Sequence, residues 1–242
     1  MSRRTHGLRG WVLLGKDSFK DERRRAWANW IDPSVAEMET LSKSWTNPEN
    51  IKRLKQMETM LSDFRRYQQE IEDIANTVDE EPALKILSQD AAPRADKLVT
   101  LITRMIDLEG RQESTDQRKA ILYMLSDIRG TTGLGLAAIR AFLFSGDEKF
   151  RDQYRTLWDK NTRRFNDLST QYSLLTPEQR SAFDQFKSIR AEFEGLPPKM
   201  FKIKASKEAN LADYWLGTRA APTDAKIVAI VEDLAASQRV LL

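Results

Sequence analysis

Arginines set among apolar residues are the first candidates for chemistry in this chain. Arg9 and Arg140 sit between aromatic and aliphatic neighbours, and Arg129 precedes a glycine-rich turn with Thr131 and Thr132 beyond it. A guanidinium offers a planar fork of donors that matches a carboxylate two bonds at a time. Arg129, Thr132, Arg140 and Arg9 are therefore the candidate ligand-binding residues, for an organic acid held between helices. Arg129, Arg140 and Thr132 are expected to face one cavity in the second half of the chain. A salt bridge to an acid on the next helix would use the same arginines.

Other chemistry is poorly supplied. His6 is the only histidine and there is no cysteine, so no Ser/His/Asp set, thiolate nucleophile or disulfide can be assembled. A helical di-metal site would need Glu-x-x-His pairs, which one histidine cannot provide. The run Gly130-Thr131-Thr132-Gly133-Leu134-Gly135 lacks the Gly-Lys-Ser/Thr ending and the preceding strand of a phosphate loop. It reads as a helix whose small residues at Gly130, Gly133 and Ala137 admit a close neighbour, or leave room for a ligand. Carboxylate pairs such as Glu70/Asp73 and Glu80/Glu81 read as solvated helix faces. These features predict a protein that is not an enzyme and takes no metal or cofactor.

The elements that must position the arginines come in two matching sets. Leu8-Arg9-Gly10-Trp11-Val12-Leu13-Leu14-Gly15-Lys16-Asp17-Ser18-Phe19 aligns with Ile139 to Phe150 at an offset of 131, which also pairs Trp27 with Trp158. Further on the offset is 129: Asn47-Pro48-Glu49-Asn50 aligns with Thr176-Pro177-Glu178-Gln179, and Ala91-Ala92-Pro93 with Ala220-Ala221-Pro222. Duplication of a unit of about 130 residues explains this. Each unit reads as four helical segments. The first ends at Gly15 or Gly146, a C-cap where the chain turns with positive φ. The second opens at Asp17 or Asp147 and runs to about Trp45 or Leu174. The third opens on Asn47-Pro48 or Thr176-Pro177, with proline at the first helical position and a capping box at Thr176…Gln179. Its seam is Met57, Leu61, Phe64, Ile71, Ala75 and Val78, interrupted by Gln68. The fourth contains Pro93 or Pro222, each of which starts a helix afresh or kinks a continuous one. Pro197-Pro198 breaks the third helix of the second unit.

No stretch alternates with period two, so the expected fold is all-α: two tandem antiparallel helical-bundle units with long helices, at 1–112 and 113–242. The first helix of the second unit spans about Ser114 to Ser145, whereas the first unit has only fourteen residues before Gly15. Both chain ends, including Gln238-Arg239-Val240-Leu241-Leu242, read as cuts through continuing helices.

Composition agrees with long solvated helices. Of 242 residues, 31% are charged, and 39 basic against 36 acidic residues leave a net charge of only +3, which gives nucleic acid little to hold. Arg23-Arg24-Arg25 and Arg163-Arg164 read as solvated faces. No apolar run reaches the length of a membrane span or a signal peptide.

The turns at Leu8–Phe19 and Ile139–Phe150 resemble the "RGYLLTGDxxF" turn of helical sensory domains from bacterial methyl-accepting chemotaxis proteins, including the CHASE-type and helical bimodular forms. Asn47-Pro48-Glu49-Asn50 and Thr176-Pro177-Glu178-Gln179 suit that family's second turn. Ala221-Pro222 through Leu242 is similar to the helix leading into a receptor's second membrane span. The resemblance implies a periplasmic ligand-binding domain, a homodimer anchored by flanking spans, a small-molecule ligand such as an organic acid, and signalling by a small helix shift. A helical-repeat scaffold without a small-molecule site is the reading of another class.

Overall fold

In the computed structural model, which describes residues 3–239, every regular element is helical and no strand occurs among the described residues. The expected all-α fold is present. Val240-Leu241-Leu242 lie outside the described residues. The elements are α1 (Arg3–Leu14), α2 (Asp17–Ala26), α3 (Asp32–Ser42), α4 (Pro48–Ile74), α5 (Pro82–Ile86), α6 (Ala92–Glu109), α7 (Asp116–Ser145), α8 (Glu148–Thr170), α9 (Pro177–Glu194), α10 (Leu196–Lys204), α11 (Leu211–Trp215) and α12 (Ala221–Arg239).

The caps follow the local chemistry. Gly15 and Gly146 take φ of +61° and +71°, where a Cβ would crowd the following carbonyl. The Asp147 side chain accepts from the Lys149 N–H to open α8, whereas Lys16 stands before α2 and Asp17 falls inside its first turn. Asn47 accepts from the Glu49 N–H at α4, and Thr176 and Gln179 form the reciprocal capping box of α9. The break at Pro197-Pro198 separates α9 from α10, while α4 runs through 27 residues without one.

Three π turns interrupt these helices, at Trp27–Ile31, Leu87–Ala91 and Leu216–Ala220. Each is followed at its second residue by proline: Pro33, Pro93 and Pro222. A proline ring clashes with the carbonyl four residues back and donates no hydrogen bond. Widening the preceding turn by one residue removes the clash and keeps the axis continuous. Pro93 and Pro222 therefore neither restart nor break their helices.

The chain divides into two compact units, but not at 112/113. One comprises Met1–Glu81 with Asn210–Leu242, the other Pro82–Ala209. Each is a bundle of four rods. The first unit uses α1, α2–α3, α4 and α11–α12; the second uses α5–α6, α7, α8 and α9–α10. The fourth helix of each sequence half thus closes the bundle built from the other half. A short connection at 110–115 favours this arrangement, because α6 and α7 then pack as antiparallel neighbours. The apolar stripe of α6 (Leu98, Ile102, Met105) is fully buried with Ile121, Leu125 and Ile128 of α7. In the first unit, Leu54, Met57, Leu61, Phe64 and Ile71 of α4 pack with Leu8, Trp27 and Ile227. The seam stops at Ala75: α4 ends at Ile74, Asn76 turns with φ +63°, and Val78 is exposed.

Candidate functional site

The structure does not bring the expected ligand residues together. Arg129 and Arg140 are exposed on α7, and Arg9 is half-buried on α1 in the other unit. Thr132 is buried. Its hydroxyl donates to the Ile128 carbonyl at 2.8 Å and accepts from Asn161 Nδ2 at 3.1 Å. The shared inter-helix cavity for Arg129, Arg140 and Thr132 is absent, because helical spacing directs the threonine inward and leaves both arginines on the outer face. The glycine-rich run is uninterrupted helix, and a Cβ at Gly130 or Gly133 would meet nothing within 4 Å.

Polar chemistry lies instead where α7, α8 and α9 meet, and between α2–α3 and α4. In the second unit, fully buried Asn161 on α8 donates to Thr131 Oγ1 (2.9 Å), Thr132 Oγ1 and the Ile128 carbonyl (3.2 Å). Its Oδ1 accepts from Arg190 Nε at 3.4 Å. Arg190 also donates to Thr162 Oγ1 at 2.6 Å and lies against the rings of Trp158 and Phe165. Burial pushes the Arg190 guanidinium below its ordinary range, with Glu194 opposing that shift. Beside this layer, Asp127 accepts from Lys160 (2.7 Å) and Arg164 (2.9 Å). Burial pushes its carboxyl up, but those two hydrogen bonds and charges outweigh burial and hold it below the usual carboxylate value.

The first unit carries a related arrangement in a more open form. Trp27 and Trp158 occupy matched positions in the sequence, and each has an arginine from a following helix on its ring face: Arg65 of α4 at 4.0 Å from Trp27 and Arg190 of α9 at 4.6 Å from Trp158. Arg190 is buried, whereas the Arg65 side chain is 49% exposed. Arg65 pairs with Asp32 at the start of α3. Trp27 is itself fixed from behind, since its indole N–H donates to Gln68 Oε1 at 2.7 Å. Trp27, Asp32 and Arg65 line a recess of about 400 Å³ between α3 and α4, with Glu39, Glu58 and Ser62 on its walls. A half-exposed guanidinium on an aromatic face can take a carboxylate, and the nearby acids suit an ammonium. α3 contributes no fully buried residue, and its apolar hold is Val35 and Met38, partly buried against the core.

A second, larger cleft of about 700 Å³ adjoins this recess, and Val35 and Leu61 line both. Its lining includes Ile31, Val35, Met38, Met57, Leu61, Ile227 and Val231, with Ser18, Glu22, Arg25 and Ser34 also on its walls.

Sequence reading missed Arg65, Arg190 and Arg23. Arg23, expected on a solvated face, is buried and donates to Glu72 at 2.6 Å and to Gln69 at 2.9 Å. The matched tryptophans were the available signal, since an aromatic face beside a helix rich in arginine is a ready cation seat. No cluster of three potential metal ligands occurs among the described residues, and no helix there is long and apolar enough to cross a membrane. No family model, curated protein or solved structure matches the chain.

Proposed function

We propose that this chain is the extracytoplasmic ligand-binding sensory domain of a transmembrane chemoreceptor, working in the periplasm as a homodimer held by flanking membrane spans. The ligand is a small molecule bearing a carboxylate, an organic or amino acid, bound in the recess between α3 and α4. The observation that carries this reading is Arg65, stacked on Trp27 yet half exposed and paired with Asp32. A ligand carboxylate competes with Asp32 for the guanidinium. That exchange loosens α3, which has no buried residue of its own, and the π turn at Trp27–Ile31 gives it a pivot. The helix then shifts by a small amount, and helices continuing towards the membrane would transmit the shift. The sensory assignment itself rests on the resemblance of the two glycine turns. The proposal includes no catalytic step and no cofactor.

The test is a thermal-shift screen of the 242-residue chain against organic acids, amino acids, aromatic acids, sugars and purines. Ligand at 100 times its dissociation constant stabilises the folded state by about 2.7 kcal/mol. The expected result is an upward shift confined to carboxylates and abolished by Arg65→Ala. A shift that survives Arg65→Ala, or that sugars alone produce, overturns the assignment of the recess. One observation favours a second reading, a protein-interaction scaffold. Phe144 is 92% exposed and Leu134 is 57% exposed on the outer face of α7, where an apolar side chain gains nothing from water.

A further inference from the structure

The recess beside Trp27 has different chemistry at its two ends. Residues 43–47 alone connect α3 to α4, so the two helices run antiparallel. At one end Asp32 of α3 pairs with Arg65 of α4. Seven residues further along α3 stands Glu39, and seven residues back along α4 stands Glu58; both line the same recess. An interval of seven returns a side chain to the same face of a helix, about 10 Å away along its axis. Between the two ends the lining is Val35, Ala36, Leu61 and Ser62, which carry no charge.

The charges on this lining do not balance. Arg65 is the only base on it and is already paired, whereas Glu39 and Glu58 form no ion pair among the described residues. Three acids against one base leave two negative charges in excess. A simple carboxylate that displaces Asp32 from Arg65 therefore enters a site whose remaining charges repel it. A ligand that also carries an ammonium removes that repulsion, and the Glu39/Glu58 end offers the ammonium a seat away from the guanidinium.

We infer that the ligand of this recess is an ω-amino acid with about three to five methylenes between its carboxylate and its ammonium. The inference rests on the carboxylate reading proposed above and adds the second charge and its spacing. The carboxylate takes the Arg65 guanidinium, the ammonium donates to Glu39 and Glu58, and the methylenes lie on Val35, Ala36 and Leu61. Ends about 10 Å apart, less a hydrogen bond of about 2.9 Å at each, leave at least roughly 4 Å between the ligand's charged groups. An α-amino acid holds its charges across a single carbon and reaches one end only. A dicarboxylate meets like charge at the acidic end.

The experiment is calorimetric titration of the 242-residue chain with glycine, 4-aminobutyrate, 5-aminovalerate and 6-aminohexanoate, and with pentanoate and pentylamine, which each keep one of the two charges. The expected result is tightest binding among the three longer amino acids, at least about tenfold tighter than glycine, pentanoate or pentylamine. Glu58→Gln should weaken 5-aminovalerate by about tenfold and leave pentanoate unchanged. Glu58 is only half-buried, and an unchanged thermal midpoint for the variant shows that its fold is kept; exposed Glu39→Gln gives the same reading from the facing helix. Pentanoate that binds as tightly as 5-aminovalerate and is lost with Arg65→Ala overturns the inference and leaves the carboxylate recess standing. Glycine that binds as tightly as 5-aminovalerate overturns the spacing. Pentylamine that binds as tightly, and is lost with Glu58→Gln, assigns a plain cation site and overturns the inference too. If no carboxylate binds, or if Arg65→Ala leaves binding unchanged, the recess reading itself falls and takes this inference with it.

Discussion

Replacing the three arginines of Arg23-Arg24-Arg25 one at a time by alanine separates packing from sequence appearance. The triplet looks uniform, yet only Arg23 is buried. It ties α2 to the last turns of α4 through Glu72, itself only 9% exposed, and Gln69. Arg23→Ala leaves the Glu72 carboxylate nearly out of water without its partner, and removing one member of a buried pair costs about 3 kcal/mol. Arg24 pairs with Asp21 where both are at least half exposed, so its removal should cost less than about 0.5 kcal/mol. Arg25→Ala should behave like Arg24→Ala. Urea unfolding followed by circular dichroism, with melting as a second readout, measures all three. The Arg23 variant should melt roughly 6–12 °C lower. The double variant Arg23→Met/Glu72→Met should recover most of the loss, because no lone charge then remains inside. An Arg23→Ala protein as stable as Arg24→Ala would refute the buried-pair reasoning.

Further outcomes follow from other sites. Gly146→Ala should cost about 1–2 kcal/mol from the left-handed backbone alone, since nothing lies within 4 Å of the added methyl. Gly15→Ala should cost more, because its methyl would stand 3.0 Å from Asn76 Oδ1; parallel denaturation of the two variants checks the order. The Asp127 carboxyl is held below its ordinary value in the fold, so its contribution is present above the unfolded carboxylate value and is lost as pH falls through the folded one. Melting curves between neutral and acid pH should therefore fall more steeply for wild type than for Asp127→Asn; parallel slopes would remove Asp127 from the account. Asn161→Leu should destabilise by roughly 3 kcal/mol, since Arg190 Nε then loses its buried acceptor, and hydrogen exchange along α8 should rise with it.

Much of the local structure is legible in the residue order. Gly15, Gly146, Asn47-Pro48 and Thr176…Gln179 mark helix ends because their chemistry acts within four residues of itself. The seam Met57, Leu61, Phe64 and Ile71 is legible for the same reason, since helical spacing alone puts these side chains on one face. Gln68 falls in that seam and is fully buried, with its polarity met by Trp27 from another helix. The prolines at 33, 93 and 222 held a further local signal, each following a π turn by two residues.

The sequence by itself determined helices, turns and inward faces, because short-range sterics and hydrogen bonding decide them. It did not determine which arginine is buried, since Arg23, Arg24 and Arg25 have the same chemistry and differ only in which neighbouring helix each one meets. Nor did it determine the units. The fourth helix of each half has an apolar stripe that either bundle could bury, and only tertiary packing set α6 against α7 and α12 against α4. The half-exposed Arg65 and the buried Arg190 differ in the same way: each meets its tryptophan from another helix, so tertiary packing alone decides how far water reaches it.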